Sequence, residues 1–233
     1  MHRRFVIGGI ALGILGAGGY LLSRPAPDST LLPGAAHAQE SMGAAGDFEV
    51  VEMVQGDADA PVEVIEYASY TCPHCASFHA NQFKELKANY IDTGAVRFVY
   101  REVYFDRPGL WASMVARCGG EERFFGITDL IYAEQRGWTS GPGPADIAGA
   151  LRRIGLTAGL TEEALDACLS DADMAQSLVN WWEQNQQEHD VTSTPSFVID
   201  GEKYSNMSYA DFAEILDARL DAAGWTGGAA ASQ

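Results

Sequence analysis

Residues 62–79 read VEVIEYASYTCPHCASFH, and this stretch decides the fold. Val, Ile and Tyr dominate its first half, which reads as a strand ending just before Thr71. The second half opens on Cys72-Pro73-His74-Cys75. Proline is favoured at the first helical position, so Pro73 starts a helix and Cys72 becomes its N-cap. Cys75, His79, Phe83, Leu86 and Tyr90 recur at helical spacing through residue 91 and form one inward stripe.

Outward from that junction, 48–54 (FEVVEMV) and 95–103 (AVRFVYREV) read as further strands. Strand, helix and strand in so short a span form a parallel βαβ unit with a right-handed crossover. Helical patterns then run from 108–118, 121–135, 145–156, 161–169 and 171–189, the last with Met174, Leu178, Trp181, Trp182 and Asn185 on one face. At Val191 the text returns to strands: TSTPSFVIDGEKY holds a loop, a strand, an Asp200-Gly201 turn and a second short strand. Ser208 with Asp211 resembles a capping box opening a last helix. The expected organisation is an α/β domain in two parts, 48–106 and 191–225, interrupted by an all-helical insertion, 107–190. Residues 226–233 read as a frayed tail.

The N-terminus is an address. Arg3 and Arg4 precede an uncharged apolar run from Phe5 to Leu22 that holds six glycines. Residues 1–24 are therefore a cleaved signal peptide, with Ala36-His37-Ala38 as a small-x-small site, or an uncleaved anchor; a twin-arginine signal also fits loosely. Residues 25–47, rich in Ala, Gly and Pro, read as a flexible linker. Either fate delivers the body outside the cytoplasm, free or tethered to the membrane through residues 5–22.

Charge narrows the partners. Fifteen Lys and Arg face 32 Asp and Glu, a net charge of −17 in 233 residues. Such a surface repels phosphate backbones, which argues against nucleic-acid binding.

The chemistry lies in the cysteines. The N–H groups of His74 and Cys75 should point at the Cys72 sulfur, and the positive helix end favours a thiolate, so a lowered Cys72 pKa is expected. His74 adds a partial positive charge and a donor. Cys75, on the inward stripe, should be buried and less acidic. In thiol–disulfide exchange Cys72 is then the attacked sulfur and Cys75 the leaving one. A structural disulfide or half a zinc site competes with this reading, and His79 could join the two cysteines as a third ligand. Otherwise His79 is a hydrogen-bonded histidine between helix and sheet.

Glu66 shares a strand face with Val62 and Val64. Buried there, its carboxyl would have a raised pKa and could exchange a proton with Cys75; at an edge strand it would simply face water. Thr194-Pro195 begins a strand after a polar loop, where a cis proline would be well placed, although the sequence itself supports only a turn. With a local pair at 72 and 75, the remaining connectivity joins Cys118 to Cys168 across two inserted helices, and an exported protein favours that disulfide over two buried thiols.

CPHC at a helix start, followed at this separation by STPSFVIDG, resembles the DsbA family of periplasmic thiol–disulfide oxidoreductases over about residues 48–225. The resemblance implies a thioredoxin fold with an inserted helical domain, and the low-pKa cysteine and oxidising couple that DsbA proteins show. It implies Cys72 as the substrate-linked cysteine, Cys75 as the resolving partner, Glu66 as the acidic residue before the motif, Pro195 as a cis proline, and Thr194 as backbone offered to an extended substrate. No cofactor is implied. The partners would be reduced or unfolded exported proteins and a quinone-linked membrane oxidase like DsbB, with the protein itself a monomer. A disulfide isomerase or reductase on the same fold, and a metal carrier using Cys72 and Cys75, are the competing functions.

Overall fold

A computed structural model describes residues 48–227. The expected signal or anchor, the linker and all but two residues of the tail lie outside the described residues. Five strands form one sheet: β1 (Met53–Gln55), β2 (Val62–Ala68), β3 (Val96–Glu102), β4 (Ser196–Ile199) and β5 (Glu202–Ser205), in the order β1-β3-β2-β4-β5. β2 and β3 run parallel, with Val62 beside Val96 and Ala68 beside Glu102, as the βαβ reading requires. β1, β4 and β5 each pair antiparallel with their neighbours. Asp200 and Gly201 both take positive φ, 46° and 83°, and close the two-residue β4–β5 hairpin as an Asp-Gly pair does.

The helix after β2 is broken where periodicity predicts one continuous piece. It comprises α1 (Pro73–Ala80), α2 (Gln82–Leu86) and a π-helical turn over Lys87–Ile91, with the break at Asn81. The inward stripe survives the break, because Cys75, His79, Phe83, Leu86 and Tyr90 are all buried. The helical segment follows as α3 (Arg107–Cys118), α4 (Gly120–Ala133), α5 (Gln135–Thr139), α6 (Pro144–Thr157), α7 (Glu162–Ser170) and α8 (Ala172–Glu188). Asp106, Thr161 and Asp171 cap α3, α7 and α8 through their side chains, each accepting from a first-turn N–H. Ser208 does the same for α9 (Tyr209–Ala222), accepting from the Asp211 amide.

β2 alternates as its sequence promises. Val62, Val64 and Ala68 join the main core with Phe78, Phe83, Phe98, Phe197, Phe212 and the inner faces of α3, α4 and α6. Ile65 and Tyr67 face the opposite side with Val99, Val103 and Val198. There Trp181 of α8 lies between two guanidinium groups, Arg101 at 5.7 Å and Arg117 at 5.6 Å from its ring. Arg117 also makes a two-pronged buried ion pair with Glu102, at 2.7 and 2.8 Å, which fastens α3 to β3. The first strand is shorter than FEVVEMV suggests. Phe48 and Val50 leave the sheet and pack against the cluster of Tyr104, Met114, Met174 and Leu178.

A disulfide joins Cys118 at the end of α3 to Cys168 in α7, with Cα atoms 6.0 Å apart. Among the described residues no helix is long and apolar enough to cross a membrane.

Candidate active site

Two elements meet at the site. The β2 strand delivers Thr71 and Cys72 to the open end of the sheet, and α1 starts there with Pro73 in its first turn. Cys72 is the N-cap residue, extended at φ −80° and ψ 119°, and half-buried. One turn on, Cys75 is fully buried. His74 lies between them on the exposed side. From the other half of the sheet comes the Thr194-Pro195 peptide, which is cis and immediately precedes β4. The Cys72 thiol donates to the Thr194 carbonyl at 3.4 Å.

The two sulfurs differ strongly in acidity. The Cys72 pKa is lowered to about 5, chiefly by the Cys75 thiol, which donates to it against the opposing effect of burial; the Thr194 side chain and the amides of Cys75 and His74 add to the lowering. The helix end thus contributes less than its position suggests. No first-turn N–H closes a capping hydrogen bond of normal geometry on this sulfur, and the largest support comes from the neighbouring thiol. The Thr194 hydroxyl is buried with no other protein partner, which leaves it free to donate to a thiolate. Cys75 goes the other way. Burial pushes its thiol far up, and its bond to Cys72 and the nearby Glu66 charge push in the same direction.

Glu66 is fully buried, because β2 is a central strand between β3 and β4. The edge-strand alternative is thereby corrected: there is no water on that side for the carboxylate to face. Glu66 Oε2 instead meets His79 Nε2 at 2.9 Å, and His79 is itself buried. His79 is therefore turned toward the sheet, and among the described residues no three His, Cys, Asp or Glu side chains are placed to hold a metal ion.

Three contributors escape sequence reading because they arrive from distant helices. Gln135, at the start of α5, donates from Nε2 to the carbonyls of Tyr70 at 2.7 Å and Cys72 at 2.9 Å, and so grips the loop that carries the cysteine. Tyr132 of α4 stacks on His79 with ring centres 4.5 Å apart. Thr71 donates to Asp106 at 2.9 Å, tying the same loop to the cap of α3. A glutamine or tyrosine sixty residues from the motif carries no local signal.

An acidic half-exposed sulfur beside a buried protonated one, facing a cis-proline loop on this sheet, marks the class of thioredoxin-fold dithiol proteins. The sequence model described as thioredoxin matches residues 49–218. A Rickettsia bellii protein named a protein-disulfide oxidoreductase is 33% identical over 171 residues, 73% of this chain and 65% of that protein. Disulfide bond formation protein D of Bacillus subtilis is 26% identical over 175 residues, 70% of this chain and 73% of its own. Among solved structures, Wolbachia pipientis alpha-DsbA1 superposes with a TM-score of 0.68 at 27% identity, over 74% of this chain and 92% of that one. The chain belongs to the thioredoxin family, and it is similar in sequence and fold to DsbA proteins. It spans just under two thirds of the length of the Rickettsia relatives it matches, 65% and 62% for the first two.

Proposed function

We propose that the protein is a dithiol oxidase that donates its Cys72–Cys75 disulfide to reduced, exported proteins. A substrate thiolate attacks the Cys72 sulfur, the Cys72–Cys75 bond breaks, and Cys75 leaves and takes up a proton. A second substrate thiolate attacks the substrate sulfur of the mixed disulfide and expels Cys72 as its thiolate. The substrate has lost two electrons, and the dithiol holds them until a quinone-linked membrane partner of the DsbB kind removes them.

The observation that carries this reading is the acidity of Cys72, lowered to about 5. A sulfur that is stable as an anion is a good leaving group, and it favours the dithiol over the disulfide, which makes the disulfide a strong oxidant. His74 and Thr194 flank that sulfur and would contact the incoming chain, with the Thr194–Pro195 backbone offered to an extended substrate strand. The Arg3-Arg4 start and its apolar run support delivery to the periplasm. On this reading residues 48–106 and 191–225 form the exchange domain and 107–190 a helical insertion that braces it.

The test is a redox equilibrium of the full protein against glutathione, followed by the Cys72 thiolate absorbance across pH. A couple more oxidising than glutathione and a thiolate that persists below neutral pH support the oxidase. A couple at or below the glutathione potential would favour the reductase or isomerase alternative, and metal retained without thiol oxidation would favour the carrier.

A further inference from the structure

Disulfide exchange leaves a proton problem at Cys75. The sulfur is fully buried, and burial with the Glu66 charge keeps its thiol protonated. Yet it leaves as a thiolate when the disulfide is attacked, and it must lose a proton each time the disulfide is remade. Bulk water does not reach it. The carboxyl whose charge reaches it is Glu66, whose Oε2 is taken by His79 while Oε1, also buried, has no partner.

His79 spans the gap between that carboxyl and the outside. Its Nε2 lies 2.9 Å from Glu66, and its Nδ1 is buried without a partner. The ring forms part of the wall of a cavity of about 310 Å³ between α1, α2 and α4, whose lining includes Ala80, Lys84, Asp129 and Ala133. Those four residues are exposed, so the cavity opens to solvent. We propose that His79 is the proton port of the buried site, passing the Cys75 proton between Glu66 and the solvent-open cavity beside α4. It is a positioning residue: it acts on the reacting sulfur through Glu66, and the proposal rests on Cys72 and Cys75 exchanging disulfides as described above.

The steps balance. As Cys75 leaves, a proton passes from His79 Nε2 by way of the Glu66 carboxylate to the sulfur, directly or through one water. Glu66 is left as it began, and His79 recovers a proton at Nδ1 from the cavity. Reoxidation runs the same path backwards, with no net change in either side chain. Histidine suits this because it carries a proton on either nitrogen and changes charge near neutral pH.

The groups that face the ring from every side are consistent with this path. Tyr132 stacks on it from α4 and Tyr100 meets it edge-on from β3 at 5.7 Å. Burial holds both phenols well above their usual range, so neither competes as an anion. Phe78 and Phe83 complete an apolar surround. At the cavity mouth, burial raises the Asp129 carboxyl, while the charges of His79, Lys84 and Lys87 pull it down. Asp129 is thus the acid placed to hand protons to and from water.

The test compares the wild-type protein with His79→Gln, whose amide keeps a donor toward Glu66 but cannot ionise. Oxidation of a dithiol peptide is followed by rapid mixing across the range where histidine titrates, alongside the Cys72 thiolate absorbance. The expected result is an unchanged Cys72 ionisation, roughly 10²-fold slower exchange, loss of one inflection from the pH–rate profile, and partial recovery with added imidazole. Equal rates, or a uniform slowing with the profile intact and no recovery, would overturn the port. Should His79→Gln not fold, nitrogen-15 imidazole resonances of the wild type decide: the His79 proton must move between Nε2 and Nδ1 when the Cys72–Cys75 pair is reduced at constant pH, and an unchanging ring sinks the proposal. A wild type that oxidises no dithiol at all refutes the exchange reading instead.

Discussion

Acidifying the reduced protein should remove a definite part of its stability, and the Cys72 thiolate sets the amount. In the folded dithiol the group ionises at about 5, whereas an unfolded cysteine ionises at about 8.5. A folded pKa below the unfolded one stabilises the native state at high pH and loses that contribution as pH falls through the folded value. At about pH 7 the native state is about two pH units above its own pKa, which corresponds to at most about 2.7 kcal/mol at about 1.4 kcal/mol per unit. Cys72 is only half-buried, and solvent screening cuts this to roughly 1–2 kcal/mol. Cys75 adds no slope here, because its thiol is protonated in both states below neutral pH. The assay is urea unfolding under reducing conditions for the wild type and Cys72→Ser, at about pH 7 and about pH 4. Serine does not titrate, so the difference between the two proteins isolates the thiolate. That difference should shrink by roughly 1–2 kcal/mol on acidification. A difference that stays flat, or grows, refutes the assignment of an anionic Cys72.

Gln135→Leu removes the donor shared by the Tyr70 and Cys72 carbonyls, so unfolding free energy should fall by about 2 kcal/mol in a urea titration, with slower peptide oxidation; a loss under about 0.5 kcal/mol would mean that the loop holds itself. Replacing Cys118 and Cys168 together by Ala opens a loop with a sequence separation of 50 residues, and chain entropy sets the expected loss at up to about 4 kcal/mol under non-reducing conditions. Equal unfolding midpoints for the two forms would show that the crosslink constrains nothing the fold does not already fix.

What could be read from the sequence was local. The alternation in β2, the CPHC helix start, the Asp200-Gly201 turn and the caps at Thr161 and Ser208 each depend on neighbours a few residues away, and each appears in the structure. Where partners are distant, reading failed in characteristic ways. The pattern FEVVEMV looks like one strand, but Phe48 and Val50 are apolar because they cover a cluster that α3 and α8 share, and only Met53–Gln55 pairs with β3. The environment of Glu66 depends on strand order, and that β2 is central cannot be seen in β2 itself. The break at Asn81 carries no proline or glycine to announce it. Tyr132 reaches the site only through the packing of α4 against α1, and Gln135 through the α5 start that follows it.

The two ends of the sheet bear on how the proposed oxidase would meet unfolded chains. On one side β1 offers three residues, and on the other β5 offers four, Glu202 to Ser205, three of them exposed. Lys203 and Glu202 are engaged with Asp190 and Arg219, so charge lines that border. A loose polypeptide seeking a template for strand growth finds ledges too short and too charged to start on. On the proposed function, in which the partners are reduced chains, such borders let each partner go.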